Sequence, residues 1–187
     1  MKLKLLSILL LSGIISSKSL VHINPPKISK AKINEYLRII NKARSVTQDC
    51  GEFGLKGPAR PLRWNYNLYK AAYEHSRDMA MNDFLEHYGS NTKYDLTGKI
   101  YGSSDQFLRA RANGYKHNDY VGENILYGNY HFTPQKVVDL FIEHDEHCPN
   151  MMNRRFKDVG VAYYYNPKTG NEYWTIVLGV HYVKRYR

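Results

Sequence analysis

Val159-Gly160-Val161-Ala162-Tyr163-Tyr164-Tyr165 and Tyr173-Trp174-Thr175-Ile176-Val177-Leu178 stand near the end of a chain of 187 residues, with Asn166-Pro167-Lys168-Thr169-Gly170-Asn171 between them. Both runs are β-branched and aromatic, which suits a pleated, packed surface. The spacer supplies turn residues, so the segment predicts a β-hairpin with a medium loop. Upstream the period is helical. Ser29 can cap a helix carrying Ile33, Leu37, Ile40 and Ala43 on one stripe. Asn65 or Asn67 can cap a second helix, in which Leu68, Ala71, Ala72, His75 and Met79 recur. Ser104 or Asp105 starts a short third helix that Gly114 stops. Val121 to Ile125 reads as a short strand. Thr133-Pro134 is a cap followed by proline at the first helical position of a fourth helix, which buries Val137, Val138 and Phe141 and runs to about Glu146. Residues 49–63 and 84–96 read as long loops. Helices first and a hairpin last imply an α+β layered fold.

The amino-terminal end reads differently. Lys2 and Lys4 precede an apolar run from Leu5 to Ile15, followed by Ser17-Lys18-Ser19 with small residues at the positions a signal peptidase reads. Residues 1–19 are therefore expected to be a signal peptide, residues 20–31 an extended leader with Pro25-Pro26, and residues 32–187 one domain. The run is too short to span a bilayer, and no later segment is apolar enough. The expected location is secreted, periplasmic or extracellular. The formal charge is +10, and the chain stays strongly basic after losing Lys2, Lys4 and Lys18. Such a surface favours anionic partners. The basic residues are dispersed apart from Lys184-Arg185-Tyr186-Arg187, and no nucleic-acid fold signature accompanies them, so nucleic acid is not an expected partner.

Two cysteines in an exported chain suggest one disulfide, Cys50–Cys148. Cys148 belongs to the stretch Phe141 to Asn153, which also carries His144 and His147. Three residues apart on a helix, the two imidazoles would share a face and be able to bind one metal ion or one polar ligand. His75 lies on the apolar face of its helix and reads as a core histidine. His22, His117, His131 and His181 read as solvent-facing. The tyrosines of the hairpin either pack on helices and coat the sheet or form a ligand surface.

Several segments, in order, resemble one family. They are Pro61-Leu62-Arg63-Trp64-Asn65, Ala71-Ala72 with His75-Ser76 and Asp78-Met79-Ala80, and Phe84 to Ser90. Gly114-Tyr115, Gly122-Glu123-Asn124-Ile125, His147 to Asn153, Val159-Gly160-Val161 and Tyr173-Trp174-Thr175 follow. Together they are similar to the bacterial, SCP-like branch of the CAP superfamily, named for cysteine-rich secretory proteins, antigen 5 and the pathogenesis-related group 1 proteins. The resemblance implies a three-layer α-β-α sandwich with a central cleft holding two histidines and two acids. His87, Glu123 and His147 match three of those positions. His144 falls on the fourth, where an acid or serine is usual, and Glu143 is one residue off register.

The set His87, Glu123, His144 and His147 suits Zn²⁺ by ligand type. Three readings stay open at this point. All four could close a structural zinc site. The three histidines could hold zinc with Glu123 as the catalytic base of a hydrolase. The cleft could be metal-free, with Glu123 hydrogen-bonded to the imidazoles. Imidazole ligation predicts zinc affinity that collapses below about pH 6. The expected protein is a monomeric binding module with a protein, lipid or envelope-polymer partner, with a polyanion- or lipid-binding surface protein as an alternative.

Overall fold

The computed structural model describes residues 23–116, 120–129 and 131–180. The expected signal peptide, His22, His117, His181 and the basic cluster at 184–187 lie outside these residues. The hairpin forms as expected, with β5 spanning Asp158–Tyr165 and β6 spanning Glu172–Gly179. β4, Val121–Gly128, pairs antiparallel with the other side of β6. It runs three residues beyond the expected strand because Leu126 and Tyr127 find partners in Trp174 and Tyr173. β3, Arg63–Trp64, adds in parallel to the start of β5, so the sheet order is β3-β5-β6-β4. Every residue of the central strand β6 is buried.

Helices cover both faces, giving an α-β-α sandwich. One layer holds α1 (Lys30–Arg44), α5 (Pro134–Glu143) and α6 (Cys148–Met151). Tyr36, Ile40, Val138, Phe141 and Met151 from these helices pack on Val159, Val161, Trp174, Ile176 and Leu178. The other layer holds α2 (Tyr66–Asn82), α3 (Leu96–Tyr101) and α4 (Gln106–Ala112). Here Leu68, Ala72 and Ala110 meet Ala162 and Val177. The caps are the expected ones. Ser29, Asn65, Asp105 and Thr133 each accept a backbone N–H of the first turn, satisfying donors that have no partner within the helix.

Helix α2 lies so close to the sheet that Gly160 has no room for a side chain. A Cβ there would stand 2.1 Å from the backbone nitrogen of Tyr69 and 2.3 Å from the carbonyl carbon of Leu68. The helix is also buried on its polar side, where neighbouring elements satisfy Glu74, Asp78 and Ser76. Glu74 accepts from Thr97 N and Asn113 Nδ2, and Asp78 accepts from the Ser90 backbone and hydroxyl. Ser76 donates to Thr175 Oγ1.

Three departures from the sequence reading matter. Helix α3 forms inside and beyond the expected loop, because Asp95 accepts from Gly98 N and nucleates a turn. Residues 49–63 contain a small antiparallel pair, β1 (Gln48–Asp49) with β2 (Leu55–Lys56). Most important, α5 stops at Glu143, and His144 is extended at φ −96°, ψ 120°. The two histidines therefore do not share a helix face. A continuing helix would carry Pro149, which has no N–H to donate and clashes with the carbonyl four residues back. Instead the chain turns, with His147 N and Cys148 N both donating to His144 O, and α6 begins afresh.

The disulfide Cys50–Cys148 is present, closing a separation of 98 residues. It joins the loop after α1 to the start of α6. A chain-entropy account gives such a closure about 4–5 kcal/mol. Beside it, Arg44 is fully buried with no carboxylate partner among the described residues. Its guanidinium donates to the carbonyls of Arg60, Asn153 and Met151. Burial lowers its pKa to about 10, so it stays charged.

Gly160→Ala should cost roughly 3 kcal/mol, since the obstacle is backbone that cannot turn aside. Urea denaturation at constant m-value measures this. A loss below about 0.5 kcal/mol, the size of an ordinary surface change, would contradict the close approach.

Candidate functional site

The polar cleft lies along β4, at one edge of the sheet. The Gly122-Glu123-Asn124 segment divides its side chains between the two layers. Glu123 points toward α2 and α4. Asn124 points toward α6, where its Nδ2 donates to His147 O at 3.1 Å and its Oδ1 accepts from Asn150 Nδ2 at 3.1 Å. The loop after α2 brings His87 from one side, and the turn before α6 brings His147 and His144 from the other.

Glu123 is 4% exposed, so its charge requires compensation, and Arg109 of α4 supplies it. Arg109 Nη2 lies 2.9 Å from both carboxylate oxygens. The same guanidinium donates to His87 O at 2.8 Å and to Ser104 Oγ at 3.0 Å. His87 Nδ1 lies 3.0 Å from Glu123 Oε1, and His75 Nε2 is 3.6 Å from the same oxygen. Burial alone would push the carboxyl pKa up. Arg109 and the neighbouring imidazoles outweigh it and hold the pKa at about 2. His87 is shifted upward by its hydrogen bond to Glu123, while burial drives His75 down to about 3.

His147 and His144 form a second group. Their ring centroids are 4.6 Å apart with planes 33° from parallel, and Phe141 meets His147 edge-on at 5.1 Å. Burial, with the neighbouring His144 and His87, lowers the His147 pKa to about 4. His147 is therefore neutral and able to accept a cation at ordinary pH. His144 is exposed on this side of the turn. Glu143 faces elsewhere, along the groove between α1 and α5 with Ile39 and Lys42. Asp145 is tied to the disulfide loop, accepting from Glu52 N at 3.3 Å. His131 is largely exposed and lies 3.1 Å from Glu172.

The four expected site residues thus lie on the same edge as two pairs, Glu123 with His87 and His144 with His147. Among the described residues, no group of three or more His, Cys, Asp or Glu side chains converges in the manner of a metal centre. Both oxygens of Glu123 face Arg109, which leaves this carboxylate poorly suited to direct ligation. What it does hold is the ring of His87, through Nδ1. The sequence reading missed Arg109. The available signal was a glutamate in an otherwise apolar strand, which demands a buried cation from another element.

His75 makes the fold sensitive to acid. Unfolded, it takes a proton near 6.5. Folded, it does so only near 3, so the unfolded chain holds the extra proton between those values and stability falls as pH drops through 6.5. Glu123 adds a further loss between its ordinary 4.5 and about 2. His87 acts oppositely, since its raised pKa contributes stability that is complete below 6.5 and fades as pH rises through the folded value. Stability should therefore drop by roughly 2 kcal/mol from pH 7 to pH 5 on account of His75. His147, lowered to about 4, adds a loss of the same sign, so the drop should shrink by about 2 kcal/mol in His75→Gln, as followed by urea denaturation. An equal drop in the variant would reject this origin.

Comparison with known proteins agrees with the fold and the segment order. Residues 37–178 match the family described as "CAP: Cysteine-rich secretory protein family". The chain is 29% identical over 104 residues to the uncharacterized protein YkwD of Bacillus subtilis, covering 56% of this chain and 35% of that protein, so it spans about a third of that relative's length. It superposes on an outer surface protein of Borrelia burgdorferi with a TM-score of 0.56 at 13% identity, covering 82% of this chain and 92% of the other. An extracellular protein containing an SCP domain from Bacillus anthracis gives 0.55 at 18% identity, covering 84% of this chain and 45% of that one. The described residues include no helix long and apolar enough to cross a membrane. The family match covers most of the chain and the layer order agrees with it, and the chain belongs to the CAP, or cysteine-rich secretory protein, family.

Proposed function

We propose that this protein is exported and acts in the cell envelope or outside the cell as a binding module. Its β4 cleft takes a divalent metal ion, held through His144 and His147 with His87 facing them. The observation that carries this reading is the His144–His147 pair, with ring centroids 4.6 Å apart at the open edge of the cleft. The lowered pKa of His147 keeps that ring available. Export is supported by the apolar run at residues 5–15 behind Lys2 and Lys4 and by the disulfide, a bond that persists in oxidising compartments. It is also supported by the extracellular and outer-surface descriptions of the two structural relatives.

Such a site is open and of low coordination, with water or a partner group completing it, so it suits recruitment of a ligand. A zinc hydrolase with Glu123 as base is less well supported. A carboxylate held at about 2 by Arg109 has little tendency to take a proton at neutral pH.

Calorimetric titration of zinc into the purified protein should show one ion per chain. His144→Ala and His147→Ala should each weaken binding about tenfold or more, and Glu123→Gln should weaken it about tenfold by releasing His87. Because His147 protonates only at about 4, its contribution should survive at pH 5, below the collapse near 6 expected for an ordinary imidazole. No heat above dilution in the wild-type protein, or equal binding in both histidine variants, would refute the metal reading.

A further inference from the structure

The opposite edge of the sheet carries a separate feature. β3 pairs only with Asp158 and Val159, so the rest of β5 borders an open groove between α1 and α2. The groove encloses about 540 Å³, and six tyrosines line it: Tyr36, Tyr69, Tyr73, Tyr163, Tyr164 and Tyr165. A smaller cavity of about 340 Å³ continues it past Pro26, Lys27 and Tyr69 to Tyr66 and Lys70. Lys27, Lys32 and Lys70 line the two together, and among the described residues no carboxylate does. Glu35 stands outside, paired to Lys32 at 2.7 Å.

The rings are held flat and firm. Tyr163 stacks on Trp174 with centroids 4.5 Å apart and planes 20° from parallel, yet remains 46% exposed. Tyr36 stacks on Trp64 at 6.0 Å. It is 4% exposed and lines the groove. Burial raises the pKa of both Tyr36 and Tyr69, and Tyr163 lines the same groove. Tyr69 already donates to a carbonyl, that of Pro26, at 2.8 Å.

We propose that this groove binds an acidic saccharide chain, its sugar rings lying on Tyr163 and its carboxylate or phosphate groups beside Lys27 and Lys32. The apolar C–H face of a sugar ring packs by dispersion on an exposed aromatic ring. Its hydroxyls provide hydrogen-bond partners for the phenols that line the groove. Lysine ammoniums serve as flexible point charges for anionic substituents. A hydrocarbon chain would offer the groove's phenols and lysines no polar partner. An added peptide strand needs the edge of β5, but Val161 is only 1% exposed there. The site is independent of the histidine cleft, which lies across β6 at the far edge of the sheet.

The chain's two tryptophans, Trp64 and Trp174, both contact groove tyrosines, so intrinsic fluorescence reports on occupancy. The purified protein would be titrated with hexagalacturonate, a poly(glycerol phosphate) glycoside, neutral maltohexaose and polyglutamate. A saturable change with either acidic glycan, about tenfold tighter than with maltohexaose or polyglutamate, is the expected result. The two acidic probes separate carboxylate from phosphate recognition. Tyr163→Ala should weaken binding about tenfold, and the exposed Lys27→Gln, which leaves the core untouched, should weaken it and flatten its salt dependence. Failure of both acidic glycans to bind would overturn the proposal. So would equal binding of maltohexaose, which makes charge irrelevant, or of polyglutamate, which makes the sugar irrelevant.

Discussion

A buried glutamate must be answered by a buried cation, and in this protein the answer comes from a different helix. Arg109 meets both oxygens of Glu123 with one nitrogen at 2.9 Å and uses the same guanidinium to hold the His87 carbonyl and the Ser104 hydroxyl. One interaction therefore fixes β4, α4, the loop after α2 and the orientation of the cleft histidine. Removing a carboxylate and a guanidinium from water costs several kcal/mol each, and the pair repays this only when its geometry is good and its remaining donors are satisfied. Here both terminal nitrogens of Arg109 are satisfied, while its Nε is buried without a partner among the described residues. The cost is also a reason for the cleft's form, because a carboxylate so firmly paired can orient its neighbours but does little chemistry of its own.

What was legible in the sequence was whatever is decided locally. Asn65 and Thr133-Pro134 announce their helices through capping chemistry confined to one turn. The two runs at 159–165 and 173–178 announce the hairpin by residue type, and the cysteine pair is a matter of arithmetic. The positions of His87, Glu123 and His147 on one edge follow from the resemblance. Illegible were the features that depend on distant groups. The end of α5 at Glu143 brings His144 and His147 together by a turn rather than by helical periodicity. Helix α3 is anchored to the distant Glu74, which accepts from Thr97 N. Arg109 has no local signature at all, because its meaning lies in a strand 14 residues away.

The two sheet edges are treated differently. At β4 the layers part over polar groups, and loops bring imidazoles into the gap. At β5 they part over aromatic rings, because β3 is only two residues long and leaves the edge uncovered. An exposed strand edge invites unwanted pairing. Here Val161 is only 1% exposed, while Tyr163 and Tyr165 meet the solvent. The fold thus separates two kinds of surface, an imidazole-bearing one and a phenol-bearing one, with the fully buried β6 between them.

The buried Arg44 has a different character from Arg109. Its partners are peptide carbonyls, and its neighbour is a disulfide, so neither responds to protons. These two ties, which join α1 to α6, are blind to acidity. The layer of α2, α3 and α4 is held through Glu74, Asp78 and Glu123, all of which can be neutralised. A molecule built this way wears unevenly. As its surroundings sour, the second layer loses charged ties, while the crosslink and Arg44 still hold α1 to α6.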